Sequence, residues 1–182
     1  WRSLALLCPN VSTSPATPAN AITVRLATSD DAATIAAIYN VEVEHHVSTF
    51  DLVPRTLDEQ RVWLAQRSGA FSAVVASIDQ QVVGFASLSP YKERAAYRTT
   101  VEDSVYVSRQ HPRLGIGRAL MEHVIGIAAD SGFHSIIARI EAGGTASRQL
   151  HAACGFVLIG VEREVGRKFN RWLDVATMQL LI

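Results

Sequence analysis

The chain has 182 residues and balances 17 Lys+Arg against 17 Asp+Glu, so its formal net charge is zero. That excludes the one-signed surface of a nucleic-acid-binding domain. With 48% hydrophobic and 19% charged residues it has the balance of one soluble globular domain with a sizeable core.

Cys8 and Cys154 are the only cysteines. They predict neither a disulfide framework nor a metal centre, and they suit a reducing cytoplasm. Residues 1–20 join a short apolar run to a stretch rich in Ser, Thr, Pro and Ala. The apolar run falls short of a secretory signal and of the roughly 20 residues of a membrane span. We expect residues 1–20 to be a disordered N-terminal extension without function, and residues 21–182 to form one domain.

Residues 22–26 alternate apolar and polar, as a strand does. Ser29, Asp30 and Asp31 supply an N-cap for a helix over 32–39. Between 41 and 51, Glu42, Glu44, His45 and His46 crowd together. Neighbouring side chains point different ways on a helix or a strand, so a surface or cleft position is favoured over metal ligation. Thr56 and Glu59 form a capping box for a helix over 57–67, and Gly69 is expected to end it. Two strands, 71–78 and 81–88, meet at Asp79-Gln80 as a hairpin. A polar loop over 90–100 carries Lys92, Arg94, Tyr97 and Arg98.

The next strand ends in Val105, Tyr106 and Val107 and runs into Arg113-Leu-Gly-Ile-Gly-Arg118. Gly115 and Gly117 let the backbone turn tightly and approach a ligand, and the helix over 118–131 points free N–H groups outward. A phosphate fits such a place, but Gly-x-Gly at a strand–helix junction is also an ordinary turn, and on these residues alone the two readings stand level. Neither the P-loop pattern nor the third glycine of the dinucleotide fingerprint is present. A strand over 134–140, a Gly143-Gly144 loop, a short helix over 147–153 and strands over 156–165 and 172–181 complete the chain. The order β-α-α-β-β-β-α-β-α-β-β predicts an α/β (α+β) domain, a mixed sheet with helices on both faces.

Five blocks carry a family resemblance: Ser48-Thr49-Phe50 with Pro54-Arg55-Thr56; Lys92-Glu-Arg-Ala-Ala-Tyr97; Thr100-Val-Glu-Asp-Ser-Val-Tyr-Val107; Leu150-His-Ala-Ala-Cys-Gly-Phe156; and Gly166-Arg-Lys-Phe-Asn-Arg-Trp-Leu-Asp174. In this order they resemble the GNAT superfamily of acetyl-CoA-dependent N-acetyltransferases, in its phosphinothricin and methionine sulfoximine/sulfone branch. The likeness covers residues 22–182.

The resemblance implies a GNAT fold in which two parallel strands, 102–107 and 135–140, splay to admit acetyl-CoA. It implies that Val105, Tyr106 and Val107 hold the pantetheine arm. Arg113, Leu114, Gly115, Ile116, Gly117 and Arg118 would cradle the pyrophosphate, and Gly144 and Ser147 would approach the cofactor from across the cleft. Two positions depart from the family: Pro112 opens the turn where Gln or Arg is usual, and Gly144 replaces a frequent asparagine. Both predict weaker CoA binding.

The resemblance also makes Glu102 the general base. A lysine-like amine titrates near ~10.4, so freeing its lone pair at pH 7 costs about 4–5 kcal/mol, which a base offsets. His151 is the second catalytic candidate, with base and acid roles both open. A strand N–H near Val105 would meet the oxyanion. Phe50, Arg94, Ala95, Ala96 and Tyr97 would line the acceptor pocket beside Glu102, with the block at 168–172. Arg94 or Arg98 would pair with an acceptor carboxylate or phosphinate.

The implied acceptor is a small amino-acid-like amine, and the implied assembly a homodimer. No metal, nucleic acid or membrane is expected as a partner. Two alternatives stand beside this: a catalytically silent acyl-CoA-binding module, and an acetyltransferase acting on protein amines. The second needs an open groove, which bulky Phe50, Tyr97 and Trp172 would narrow.

Overall fold

The computed structural model describes residues 21–182, so the extension expected over 1–20 lies outside the described residues. Seven strands form one sheet: β1 (Ile22–Leu26), β2 (Val74–Ile78), β3 (Gln81–Pro90), β4 (Thr100–Val107), β5 (Ser135–Glu141), β6 (Val157–Lys168) and β7 (Arg171–Leu181). Their spatial order is β1-β2-β3-β4-β5-β7-β6. Every neighbouring pair is antiparallel except β4 and β5.

That parallel pair is short. It runs from Thr100↔Ser135 to Glu102↔Ile137 and stops, although β4 continues to Val107 and β5 to Glu141. Past the fork each strand keeps its other neighbour. β4 stays paired to β3 as far as Val107↔Gly84, and β5 to β7 as far as Glu141↔Val175. The strands therefore part without fraying and leave a notch between them.

Helices α1 (Ala32–His45) and α2 (Leu57–Ala65) cover one face, while α3 (Ile116–Asp130) and α4 (Thr145–Ala153) cover the other. α3 buries Ile116, Leu120, Met121, Val124 and Ala128, a helical stripe, against Val74, Ala86, Leu88 and Val101 of the sheet. α1 buries Ile35, Tyr39 and Val43 against Val75 and Phe85. The pleat divides β4 between these layers. Val101, Val105 and Val107 join the α3/α4 core, and Tyr106 joins the α1/α2 side.

The element order matches the expectation, and several bounds move for identifiable reasons. The first helix runs on to His45 rather than stopping at Tyr39. Its expected cap is a 3-10 turn, Ser29–Asp31: Asp31 accepts the Thr28 N–H at 2.7 Å and is gripped by Arg25 at 2.7 and 2.8 Å. Helix α2 ends at Ala65, and Gly69 opens a 3-10 turn, so β2 begins at Val74 rather than at 71. Asp79 (φ 47°) and Gln80 (φ 68°) make the predicted two-residue hairpin, a pair of left-handed residues matching the strand twist. β6 extends to Lys168, three residues past its expected end at 165, because it pairs with β7 down to Arg171.

Candidate active site

A cleft of about 480 Å³ lies where β4 and β5 part. Residues 102–106 and 138–141 form its walls, the start of α4 its floor, and loop 46–50 its rim. Among the described residues no strand lies beside the β4 edge that faces β5 beyond Glu102, so its backbone groups there can bind an extended ligand.

Glu102 and Asp103 are consecutive on β4 and so point to opposite faces; both reach the cleft because the sheet is split there. Burial pushes the Glu102 carboxyl above its usual range. Arg139 opposes this by attraction, and Asp103 and Glu162 add to it by repulsion. Arg139 is itself engaged by Glu162 at 2.5 Å.

His151 is 2% exposed. Its Nδ1 lies 2.7 Å from the Ser147 carbonyl and its Nε2 lies 2.9 Å from Asp103 Oδ2. A carbonyl only accepts, so Nδ1 carries a hydrogen. Burial alone would lower the imidazole's pKa. The hydrogen bond and charge of Asp103, with the Ser147 carbonyl, outweigh that and push it up. Phe156 packs edge-on against the ring at 5.1 Å.

The rim is fastened by side chains from distant parts of the chain. Lys168, 4% exposed, donates to the Thr49 carbonyl at 2.8 Å and the Glu42 carbonyl at 3.2 Å. Glu42 takes both arms of Arg109, at 2.7 and 2.8 Å, and the Ser48 hydroxyl. The Tyr39 hydroxyl reaches Asp51 at 2.6 Å and Thr49 at 2.8 Å; burial first, then Asp51, push it up to about 12. Phe50 lies on Gly166 of β6, where a Cβ would stand 2.0 Å from the ring.

At the far end, Gly115 (φ +84°) is the left-handed residue that caps α3. The first α3 ladder bond runs from the Ala119 N–H to the Gly115 carbonyl at 3.0 Å, so the N–H groups of Ile116, Gly117 and Arg118 precede it. Leu114 is exposed, and Arg113 also holds a positive φ, 59°. Gly117 has a packing reason as well: a Cβ there would meet Leu150 Cδ2 at 2.9 Å. Arg118 already pairs with Glu122 at 2.7 Å on the surface. A chain of amides along β4 ending at this turn fits a long acyl thioester that closes in a diphosphate.

The structure brings together Glu102, Val105, Tyr106, Gly144, Ser147, His151 and Phe50 around the cleft. At Gly144 an added Cβ would stand 2.9 Å from the Glu141 carbonyl, so the turn opening α4 has no room for an asparagine unless it shifts. Val107, Arg113 and Leu114 lie further along, towards α3.

Arg94, Ala95, Ala96 and Tyr97, expected in the acceptor pocket, do not line the cleft. They form an exposed 3-10 turn on the loop that enters β4, before the strands part. Tyr97 instead packs on Tyr91 at 5.6 Å, with Lys92 over both rings. Trp172 is 60% exposed on β7 beside Arg167; of Phe50, Tyr97 and Trp172, Phe50 lines the cleft and the other two do not.

Sequence reasoning missed Asp103, Arg109 and the buried role of Lys168. The signal for Asp103 was available: an acid at an inward position of a strand, flanked by Val101 and Val105.

A sheet with one parted parallel pair, an acid at the fork and a glycine turn opening a helix defines a class, and comparison with known proteins gives the same answer. The acetyltransferase (GNAT) family model matches residues 35–156. The chain belongs to the GNAT acetyltransferase family, whose members use acetyl-CoA.

Within that family it is 40% identical to a phosphinothricin N-acetyltransferase of Alcaligenes faecalis, over 87% of this chain and 82% of the relative. It is 36% identical to an L-methionine sulfoximine/L-methionine sulfone acetyltransferase of Salmonella typhimurium, over 87% and 94%. Among solved structures, a GNAT phosphinothricin acetyltransferase from Sinorhizobium meliloti in complex with AcCoA superposes with a TM-score of 0.85. It is 36% identical and is covered over 88% of each chain.

Proposed function

We propose that this chain acetylates the amine of a small amino-acid-like acceptor of the phosphinothricin, methionine sulfoximine or methionine sulfone type, with acetyl-CoA as donor. The observation that carries the reading is the fork at Glu102: a half-buried carboxylate with a raised pKa where two parallel strands separate. The names of the relatives supply the acceptor class.

Acetyl-CoA supplies an acetyl thioester, and the residues of this chain handle the protons that leave the amine and reach the departing sulfur. The fork directs them to opposite sides. Glu102 shares its strand face with Tyr106 and the α1/α2 layer, under the rim that carries Phe50, and takes the proton from the incoming ammonium group. A raised pKa suits it, because a base works best near the operating pH. His151, on the α3/α4 side, supplies a proton to the departing sulfur. The free N–H groups of β4 near Val105 stabilise the oxyanion, and the α3 N-terminus with Arg113 and Arg118 takes the diphosphate.

Mixing the protein with acetyl-CoA and each of the three acceptors, and following free thiol, tests this. Release with at least one is expected. Silence across these and a broad amine panel overturns the reading, and CoA binding without turnover would make the chain a binding module instead.

A homodimer is part of the proposal. β6 is an edge strand exposing Val157, Ile159, Val161 and Val165, an apolar edge that a second copy would cover. A monomer mass by light scattering would remove it.

A further inference from the structure

We propose that Asp103 is a positioning residue for acetyl transfer: it turns His151 Nε2 toward β4 and keeps a proton on it, so that the pair holds one proton ready for the departing sulfur. This rests on the acetyltransferase reading above.

The argument begins with hydrogen-bond direction. The Ser147 carbonyl fixes a hydrogen on Nδ1, so only Nε2 can titrate, and Nε2 faces Asp103 Oδ2 at 2.9 Å. Two lone pairs cannot meet at that distance, so one proton lies on the Nε2–Oδ2 line whichever partner formally owns it. Both side chains are 2% exposed, and in either form the pair is neutral overall, the state that burial tolerates.

Among the described residues only Ser147 and Asp103 hydrogen-bond the ring. The other groups on the packed elements stand outside hydrogen-bond reach of it: Glu102 on β4, Arg139 on β5, Arg118 and Glu122 on α3, and the Cys154 thiol just past α4. The second Asp103 oxygen, Oδ1, is buried and has no donor among the described residues.

The step balances. As the carbon–sulfur bond breaks, its electron pair goes to sulfur, the Nε2–H bond breaks and an S–H bond forms. The pair takes one proton back from solvent as the S–H bond forms, and the oxyanion's electron pair restores the carbonyl. The attacking nitrogen gives up two protons, one to Glu102 and on to solvent, the second to solvent as the intermediate collapses to the amide, so one proton is released per turnover.

NMR titration of the histidines in the ligand-free protein is the first test. His151 is expected to stay protonated above the ordinary value of ~6.5; titration at or below that value overturns the proposal without any variant. Asp103→Asn is then expected to bring the His151 midpoint down, shift the alkaline limb of kcat to lower pH and cut kcat about 10²-fold, with CoA affinity unchanged.

In a double-mutant cycle Asp103→Asn should add no further loss to His151→Gln. Losses that multiply, in variants with native circular dichroism, would make Asp103 merely structural and sink the idea. The two readings fail separately: a raised His151 midpoint with no thiol release defeats the acetyltransferase reading, and turnover with an ordinary midpoint defeats only this one.

Discussion

At the fork, Glu102, Asp103 and His151 are placed by side chains drawn from widely separated parts of the chain, and the rim above them by Glu42, Arg109 and Lys168. At the other end of the notch, one local turn, 113–118, presents backbone, and its charged side chains lie exposed. One end is specified by side-chain networks and the other by main-chain conformation. Substitutions should therefore act differently at the two ends: on rate and acceptor binding at the fork, on donor binding and helix packing at the turn.

The largest effect should come from Glu102→Gln, which is expected to lower kcat about 10²- to 10⁴-fold with little change in CoA affinity. The same change should raise stability at pH 7. The folded-state pKa of Glu102 is raised, so its contribution is most favourable below its unfolded value near ~4.3 and is lost as pH rises through the folded value. Thermal melts of the two proteins should diverge at neutral pH and converge in acid. His151 has the same sign on a higher window: its contribution is complete below ~6.5 and is lost as pH rises through its raised folded value. Wild type should thus lose stability in alkali in a way that His151→Gln does not.

Lys168→Met should come next. It removes two hydrogen bonds from a buried ammonium to loop carbonyls, a loss of about 1.5–3 kcal/mol each at most. Amide exchange should rise over residues 46–50, and the acceptor KM should rise more than the donor KM. A uniform loss of stability with both KM values unchanged would dissolve the distinction between the two ends.

At the turn, Gly117→Ala should destabilise by about 1–3 kcal/mol through collision with Leu150, and Leu150→Ala should recover part of that. Arg118→Ala should be the mildest. Its pair with Glu122 is exposed and screened by solvent, so stability should hardly change, and the readout is a several-fold weaker and less salt-sensitive CoA affinity.

The same contrast explains what could be read beforehand. The glycine turn, the Thr56–Glu59 capping box and the Asp79-Gln80 hairpin are contiguous, and local sequence rules describe them fully. Strand order and the splayed pair came from family likeness, not from periodicity, because no local pattern says which strands will be neighbours. Asp103 was passed over, and Lys168 was read only as part of an acceptor-side block and not as a loop anchor, because their partners lie 48 and 119 positions away, at His151 and Thr49. The acceptor-side expectation for 94–97 came from the family likeness, since local rules describe those residues only as a polar loop entering β4.

The way the parallel pair ends has one more consequence. Each diverging strand remains bonded along its outer side, so the molecule resembles two stiff covers meeting at a spine, and the spine is Glu102↔Ile137. Any breathing that widens this gap would pivot at Glu102, the residue proposed above as the base. On that proposal, release of one product and readiness for the following turnover would share one hinge.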